Sequence, residues 1–248
     1  ALGHLDENGD QICDRCGSVD WSESEMPEKV IWKEGDVQLR EVGGEILSFT
    51  CIDDDYHDWQ NEHRKAALFL CDRVIRADVD TAPGKKMKIF SFGKDNNYKT
   101  SQVRAWLQKN SQNSSFCLEP IHTGIQTAYT GSTAAGAFSQ TSGRELVRQD
   151  IGFQFMNDQL FCLSLEEALA YREYLWRFDS GDDNPQSQVS AYSQGYYLRT
   201  PFYLQDENGK FIYNQQIYGV DLVNGCLRPV RTDSETYGVR PAFALSQM

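Results

Sequence analysis

The run Tyr196-Tyr197-Leu198-Arg199-Thr200-Pro201 and the later run Tyr237-Gly238-Val239-Arg240-Pro241-Ala242-Phe243 decide how this chain reads. Each is a short β-prone stretch of aromatic and branched residues with one arginine inside it. A guanidinium in an apolar strand is costly unless it is paired and hydrogen-bonded. Arg199 and Arg240 therefore read as structural arginines that tie loops to backbone carbonyls or buried carboxylates. The alternative is that they grip an anionic ligand. Pro201 and Pro241 remove a ladder donor and mark a strand end or a sheet edge.

Working outward, more strand signals surround these two runs. Glu28 to Lys33, Val37 to Val42 and Glu45 to Ile52 are separated by turns at Gly35 and Gly43-Gly44. Ala66 to Cys71 and Met87 to Phe92 are compact apolar runs suited to buried strands. Tyr196 to Leu204 and Lys210 to Tyr213 flank Asp206-Glu207-Asn208-Gly209, whose Asn-Gly is a hairpin signal. Tyr218 to Val223 and Val239 to Leu245 complete the set. Two helices stand among them. Ser101 can cap one that runs to Lys109 and places Val103, Ala105, Trp106 and Leu107 partly on one face. Ser164-Leu165-Glu166-Glu167 is a capping box opening a second, which the spacing carries to about Trp176. Helices scattered among many short strands predict an α+β fold.

The chain of 248 residues has 40% apolar and 12% aromatic residues, ample for a core. A formal net charge of −12 argues against a nucleic-acid partner and against an acidic membrane face. No apolar run approaches the ~20 residues of a membrane-crossing helix, so direct membrane insertion is not expected. The chain begins at Ala1, which reads as a trimmed or mature chain whose targeting segment has been removed. Seven cysteines cannot all pair within the chain, and Cys71, Cys117 and Cys162 sit in apolar stretches suited to buried free thiols.

Residues 1–20 form a short Asp/Cys-rich segment, distinct from the large domain of residues 21–248. Asp6, Asn8 and Asp10 alternate like the oxygen ligands of a calcium loop, with Asp14 at a later ligand position. Gln11 and Gly17 break the EF-hand pattern. Superimposed is Cys13-x-x-Cys16 with His4 upstream, three of zinc's four tetrahedral ligands. Structural zinc, structural calcium, and a disulfide or disordered tail stand as three readings of this stretch. Asp53-Asp54-Asp55-Tyr56-His57-Asp58, with His63 beyond, reads as a solvated acidic loop after a strand.

Four segments carry a resemblance: Ala67 to Cys71, Ser101 to Lys109 around Arg104-Ala105-Trp106-Leu107, Gln159 to Ala168, and the two arginine-bearing runs. In that order and spacing they resemble an uncharacterised domain family of Firmicutes secreted and surface proteins, with a Leu-Arg-Ser/Thr-Pro and a terminal Gly-Val-Arg-Pro-Ala signature. That family is in turn similar to C-type-lectin-like and formylglycine-generating-enzyme-like domains. The resemblance implies a C-type-lectin-like mixed fold with many short antiparallel strands, two main helices and the N-terminal metal-loop appendage. It also implies an extracellular or cell-surface location. Residues 121–158 fit the signature least and read as a variable insertion.

The resemblance points to a recognition module for a glycan or a surface protein, with Tyr196, Tyr203, Tyr213 and Tyr218 as ligand-binding residues. Tyrosine rings stack on sugars and anchor interfaces, although ordinary strand packing also accounts for them. Catalysis is not expected. A formylglycine-generating oxidase needs two close reactive cysteines, and only Cys226 lies in the last eighty residues. A hydrolase would need a site assembled from distant segments, because no Gly-x-Ser-x-Gly elbow is present and Glu166 and Glu167 belong to a helix cap.

Overall fold

The computed structural model describes residues 31–57, 66–75, 80–82, 85–86, 91–111, 121–126, 129–130, 138–139, 147–148, 153–178, 194–202, 204–205, 208, 211–212 and 215–247. The metal-like segment from His4 to Cys16, with Asp6, Asn8, Asp10, Cys13 and Asp14, lies outside these residues, as do Tyr203, Tyr213 and His63.

The strands in chain order are β1 (Val37–Val42), β2 (Glu45–Tyr56), β3 (Ala66–Cys71), β4 (Asp80–Ala82), β5 (Lys85–Lys86), β6 (Ile121–Gln126), β7 (Tyr129–Thr130), β8 (Phe138–Ser139) and β9 (Val147–Arg148). They continue with β10 (Phe153–Asp158), β11 (Gly195–Pro201), β12 (Leu204–Gln205), β13 (Phe211–Ile212), β14 (Gln216–Asp221), β15 (Cys226–Arg231), β16 (Tyr237–Gly238) and β17 (Ala242–Ser246). Two α-helices, α1 (Gln102–Ser111) and α2 (Leu165–Ala170), accompany them. The fold is mixed α+β.

A four-stranded antiparallel sheet has the order β1-β2-β3-β17. The β1–β2 hairpin turns at Gly43 and Gly44, with φ of 65° and 88°. Positive φ at both central residues is what a tight hairpin turn demands, and glycine meets it without a Cβ clash. A five-stranded sheet, β16-β11-β14-β15-β8, is antiparallel except where β11 meets β16. There Gly195 pairs with Tyr237 and Tyr196 with Gly238. The short hairpin β12–β13 brackets Asn208-Gly209, where the turn signal falls.

Strand β3 is buried along its whole length, and its side chains feed two cores. Ala67, Phe69 and Cys71 pack with Phe49, Phe92, Leu107, Tyr197 and Phe243. Ala66, Leu68 and Leu70 face the other way, toward Phe161, Leu165, Tyr196, Leu198 and Tyr218. Period-two alternation with apolar residues on both faces is the mark of a central strand covered on each side. In the first core the Phe69 and Phe243 rings stack at 5.1 Å, and Trp32 meets Phe69 edge-on at 5.4 Å.

The helices depart from their sequence expectation in length. In α1 the Ser101 hydroxyl accepts from the Arg104 N–H at 3.0 Å, and the helix runs two residues past Lys109. The capping box of α2 is complete, but the α-helix ends at Ala170 instead of near Trp176. Tyr171 to Leu175 tighten into three-residue turns, with Tyr174 donating to the Tyr171 carbonyl and Leu175 to the Arg172 carbonyl. The carbonyls freed beyond that point are taken by Arg240. Two further expectations change. Ile31 to Lys33 are not strand, and Asp53 to Asp55 are not a loop, because β2 continues to Tyr56. Register shifts let the acidic run stay in the sheet while Tyr56 turns inward.

Candidate functional site

The two signature arginines solve burial differently: Arg199 lies within β11, whereas Arg240 lies in the link between β16 and β17 and not inside a strand. Arg199 is fully buried in β11 and meets Glu167 of α2 at two points, Nη1 to Oε2 at 2.6 Å and Nη2 to Oε1 at 2.8 Å. Nη1 also donates to the Cys162 carbonyl at 2.6 Å, and the guanidinium lies over the Phe161 ring at 5.4 Å. Glu167 further accepts from the Ser164 N–H at 2.7 Å and the Tyr56 hydroxyl at 2.8 Å. Burial alone would raise the Glu167 carboxyl, but the Arg199 charge and this ring of donors hold it below its ordinary value of 4.5. The second acidic residue drawn inward is Asp53, which accepts from the Tyr171 hydroxyl.

Arg240 is 3% exposed and has carbonyl partners instead. Nε donates to the Cys71 carbonyl at 2.6 Å, Nη1 to the Tyr174 and Leu175 carbonyls at 2.9 and 3.0 Å, and Nη2 to the Arg177 carbonyl at 2.6 Å. Its plane lies 4.5 Å from the centre of the Phe178 ring and 5.6 Å from that of Tyr196. This arginine ends the α2 segment and pins it to β3.

Arg240 also lines a cleft of about 630 Å³ together with Ser48, Thr50, Asp72, Tyr174, Arg177 and Phe178. The Asp72 carboxylate accepts from the Ser48 hydroxyl at 2.6 Å and from the Thr50 hydroxyl at 2.7 Å. Each carboxylate oxygen has two lone pairs, so Asp72 retains acceptor capacity on both. Val37, Ser48, Thr50 and Ile52 of the β1–β2 hairpin form one wall of the cleft. That hairpin leaves Val37, Leu39 and Ile46 exposed.

A second cleft of about 620 Å³ opens on the five-stranded sheet beside Asp221, Arg228, Arg231, Asp233 and Thr236. Its charges are already paired. Asp221 accepts from Arg228 at 3.1 Å and from Asn224, and Arg231 grips Asp233 at 2.6 and 2.8 Å.

Of the four tyrosines read as ligand-binding, Tyr196 and Tyr218 fall within the described residues, and each is 1% exposed. The Tyr196 hydroxyl donates to the Leu175 carbonyl at 2.9 Å, and Tyr218 packs edge-on against Phe202 at 5.4 Å. Their rings are core, so neither offers a face to a ligand. Both strands are covered on each face, β11 along its whole length and β14 but for Gln216. The aromatic residues that border the Asp72 cleft are Tyr174 and Phe178, just beyond α2, and Tyr237 borders the second cleft. Sequence reasoning missed Tyr174 because it lies within the expected helix, and Phe178 because it lies just past the expected end.

Among the described residues no group of three or more His, Cys, Asp or Glu could hold a metal ion, and no helix is long and apolar enough to cross a membrane. Cys51, Cys71 and Cys162 are buried free thiols, which burial pushes up to about 11, 12 and 12 respectively. Cys226 is a free, half-buried thiol.

No curated protein and no solved structure matches the chain. One family model does, that of DUF6273, a domain of unknown function, over residues 68–247. The matched span begins within β3 and takes in both helices, both signature arginines, the walls of the second cleft and half of those of the first. It covers more than half of the chain, which therefore belongs to the DUF6273 family.

Proposed function

We propose that the domain is an extracytoplasmic recognition module of C-type-lectin-like kind, which binds a glycan at the cell surface through the Asp72 cleft. One observation carries the reading: aromatic residues, a carboxylate with spare acceptor capacity and guanidinium groups converge on a single cleft of about 630 Å³. Sugar sites combine apolar ring surface with a few fixed polar groups in this way. The Asp72 oxygens are positioned by Ser48 and Thr50 to accept from ligand hydroxyls, and Tyr174 gives ring surface beside them. The segment from His4 to Cys16 is proposed as a structural zinc or calcium loop.

The state of the thiols supports recognition over a formylglycine-type oxidase. A reactive cysteine is a thiolate, and burial holds Cys51, Cys71 and Cys162 protonated.

The test is a screen of the folded domain against a broad glycan panel, in the presence of calcium and zinc and again after chelation. Binding that falls on Tyr174→Ala and Asp72→Asn supports the cleft. Loss on chelation alone would give the N-terminal loop a functional part. Silence across the panel would sink the glycan reading and leave a protein partner as the reading to pursue.

A further inference from the structure

We infer that the Asp72 cleft selects a ligand bearing one anionic oxygen group, a carboxylate or a phosphate, received by Arg240 and Arg177. This rests on the recognition reading above and names its ligand class.

The Arg240 guanidinium carries five N–H groups. Nε spends one on Cys71, Nη1 spends its pair on Tyr174 and Leu175 with the Tyr196 hydroxyl at 3.4 Å, and Nη2 spends one on Arg177. The other Nη2 N–H has no acceptor among the described residues, and Arg240 borders the cleft. Nor is a carboxylate among the described residues within ion-pair distance. Among the described residues, a cation that is 3% exposed is thus met by carbonyl dipoles, the Tyr196 hydroxyl and two ring faces. Arg199, equally buried, has the two-point carboxylate that Arg240 lacks.

Arg177 supplies the second cation. Its side chain is 58% exposed, and its nearest carboxylate, Glu173, is 3.9 Å away, at the loose end of an ion pair. Arg240 holds the Arg177 carbonyl, and both residues line the cleft, with the Arg177 guanidinium 5.5 Å from the centre of the Tyr174 ring. Charge-assisted donors of this kind match the planar oxygens of a carboxylate or the oxygens of a phosphate. Asp72 and Glu34 also border the cleft and would repel a polyanion. The arrangement therefore fits a single charged group on a hydroxylated body, such as an acidic or phosphorylated sugar.

The experiment titrates the folded domain with glucuronic acid, its methyl ester, glucose 6-phosphate and glucose, followed by calorimetry or amide chemical shifts. The acid, the phosphate, or both should bind at least about tenfold more tightly than their neutral counterparts, with the advantage shrinking as salt is added. Which of the two binds identifies the source of the charge. Arg177→Ala should remove most of that advantage while thermal stability is kept, and Arg231→Ala, at the other cleft, should leave it intact. Equal binding within both pairs, acid with ester and phosphate with glucose, would overturn charge selection and leave sugar recognition standing. No binding of any probe by folded protein would overturn both.

Discussion

Glu167 and Arg199 face each other as a two-point ion pair at 2.6 and 2.8 Å, one from the capping box of α2 and the other from the middle of β11. The pair fixes the helix on the sheet, and truncating one partner strands the other in the core. Glu167→Ala should cost about 3–5 kcal/mol in urea unfolding, while Glu167→Leu combined with Arg199→Met should return most of that loss. Additive effects of the two single changes would show that the pair is not coupled.

The same pair sets an acid limit. The folded Glu167 carboxyl lies below 4.5, so its contribution is complete above the unfolded value and is lost as pH falls through the folded one. Stability of the wild type should therefore decline below about pH 4.5 more steeply than that of the Glu167→Leu, Arg199→Met protein. Parallel acid profiles would remove Glu167 from the account.

Ser164→Ala deletes the acceptor of the Glu167 N–H, at 3.0 Å, and frees one half of the capping box. The expected loss is about 1 kcal/mol. Hydrogen exchange should quicken in the first turn of α2 ahead of β3, and uniform quickening would argue against a local cap effect.

Tyr196→Phe removes one buried hydroxyl bonded to Leu175 and leaves the ring in place. A loss of about 1 kcal/mol in stability is expected, with ligand affinity unchanged, because the ring has no exposed face. A large affinity loss without a stability change would return Tyr196 to the ligand site.

Burial holds the thiols of Cys51, Cys71 and Cys162 at about 11 to 12, so at pH 8 the thiolate fraction is on the order of one part in a thousand or less. Iodoacetamide should label the peptide with Cys226 well before those three in native protein, and all of them together in denaturant. Early labelling of Cys162 would contradict its burial.

Local chemistry made much of the frame legible. Gly43-Gly44 announced the β1–β2 hairpin, Asn208-Gly209 the β12–β13 hairpin, and Ser164 with Glu167 the start of α2. The end of α2 was not legible, because it depends on Arg240, more than sixty residues later, drawing off the carbonyls of Tyr174 and Leu175. Strand β15 was hidden by Pro229 and by charges at Arg228 and Arg231, which face outward along a sheet. The tyrosines of β11 and β14 looked like a binding surface because sequence alone does not say which face of a strand is covered. The Asp72 cleft could not be read at all, since its walls come from the first hairpin, the end of β3, the turns after α2 and Arg240.

Strand β17 pairs with β3 from Ala242–Leu70 to Ser246–Ala66, a closure across some 175 positions of sequence. A ribosome delivers β1, β2 and β3 long before it delivers β17. During that interval the apolar β3 has one unsatisfied backbone edge, and neither core around it can close. A chain that collapses before its late strand emerges leaves that edge open to mispairing. Slowing translation after β3 should lengthen that vulnerable period, whereas slowing it after β17 should not.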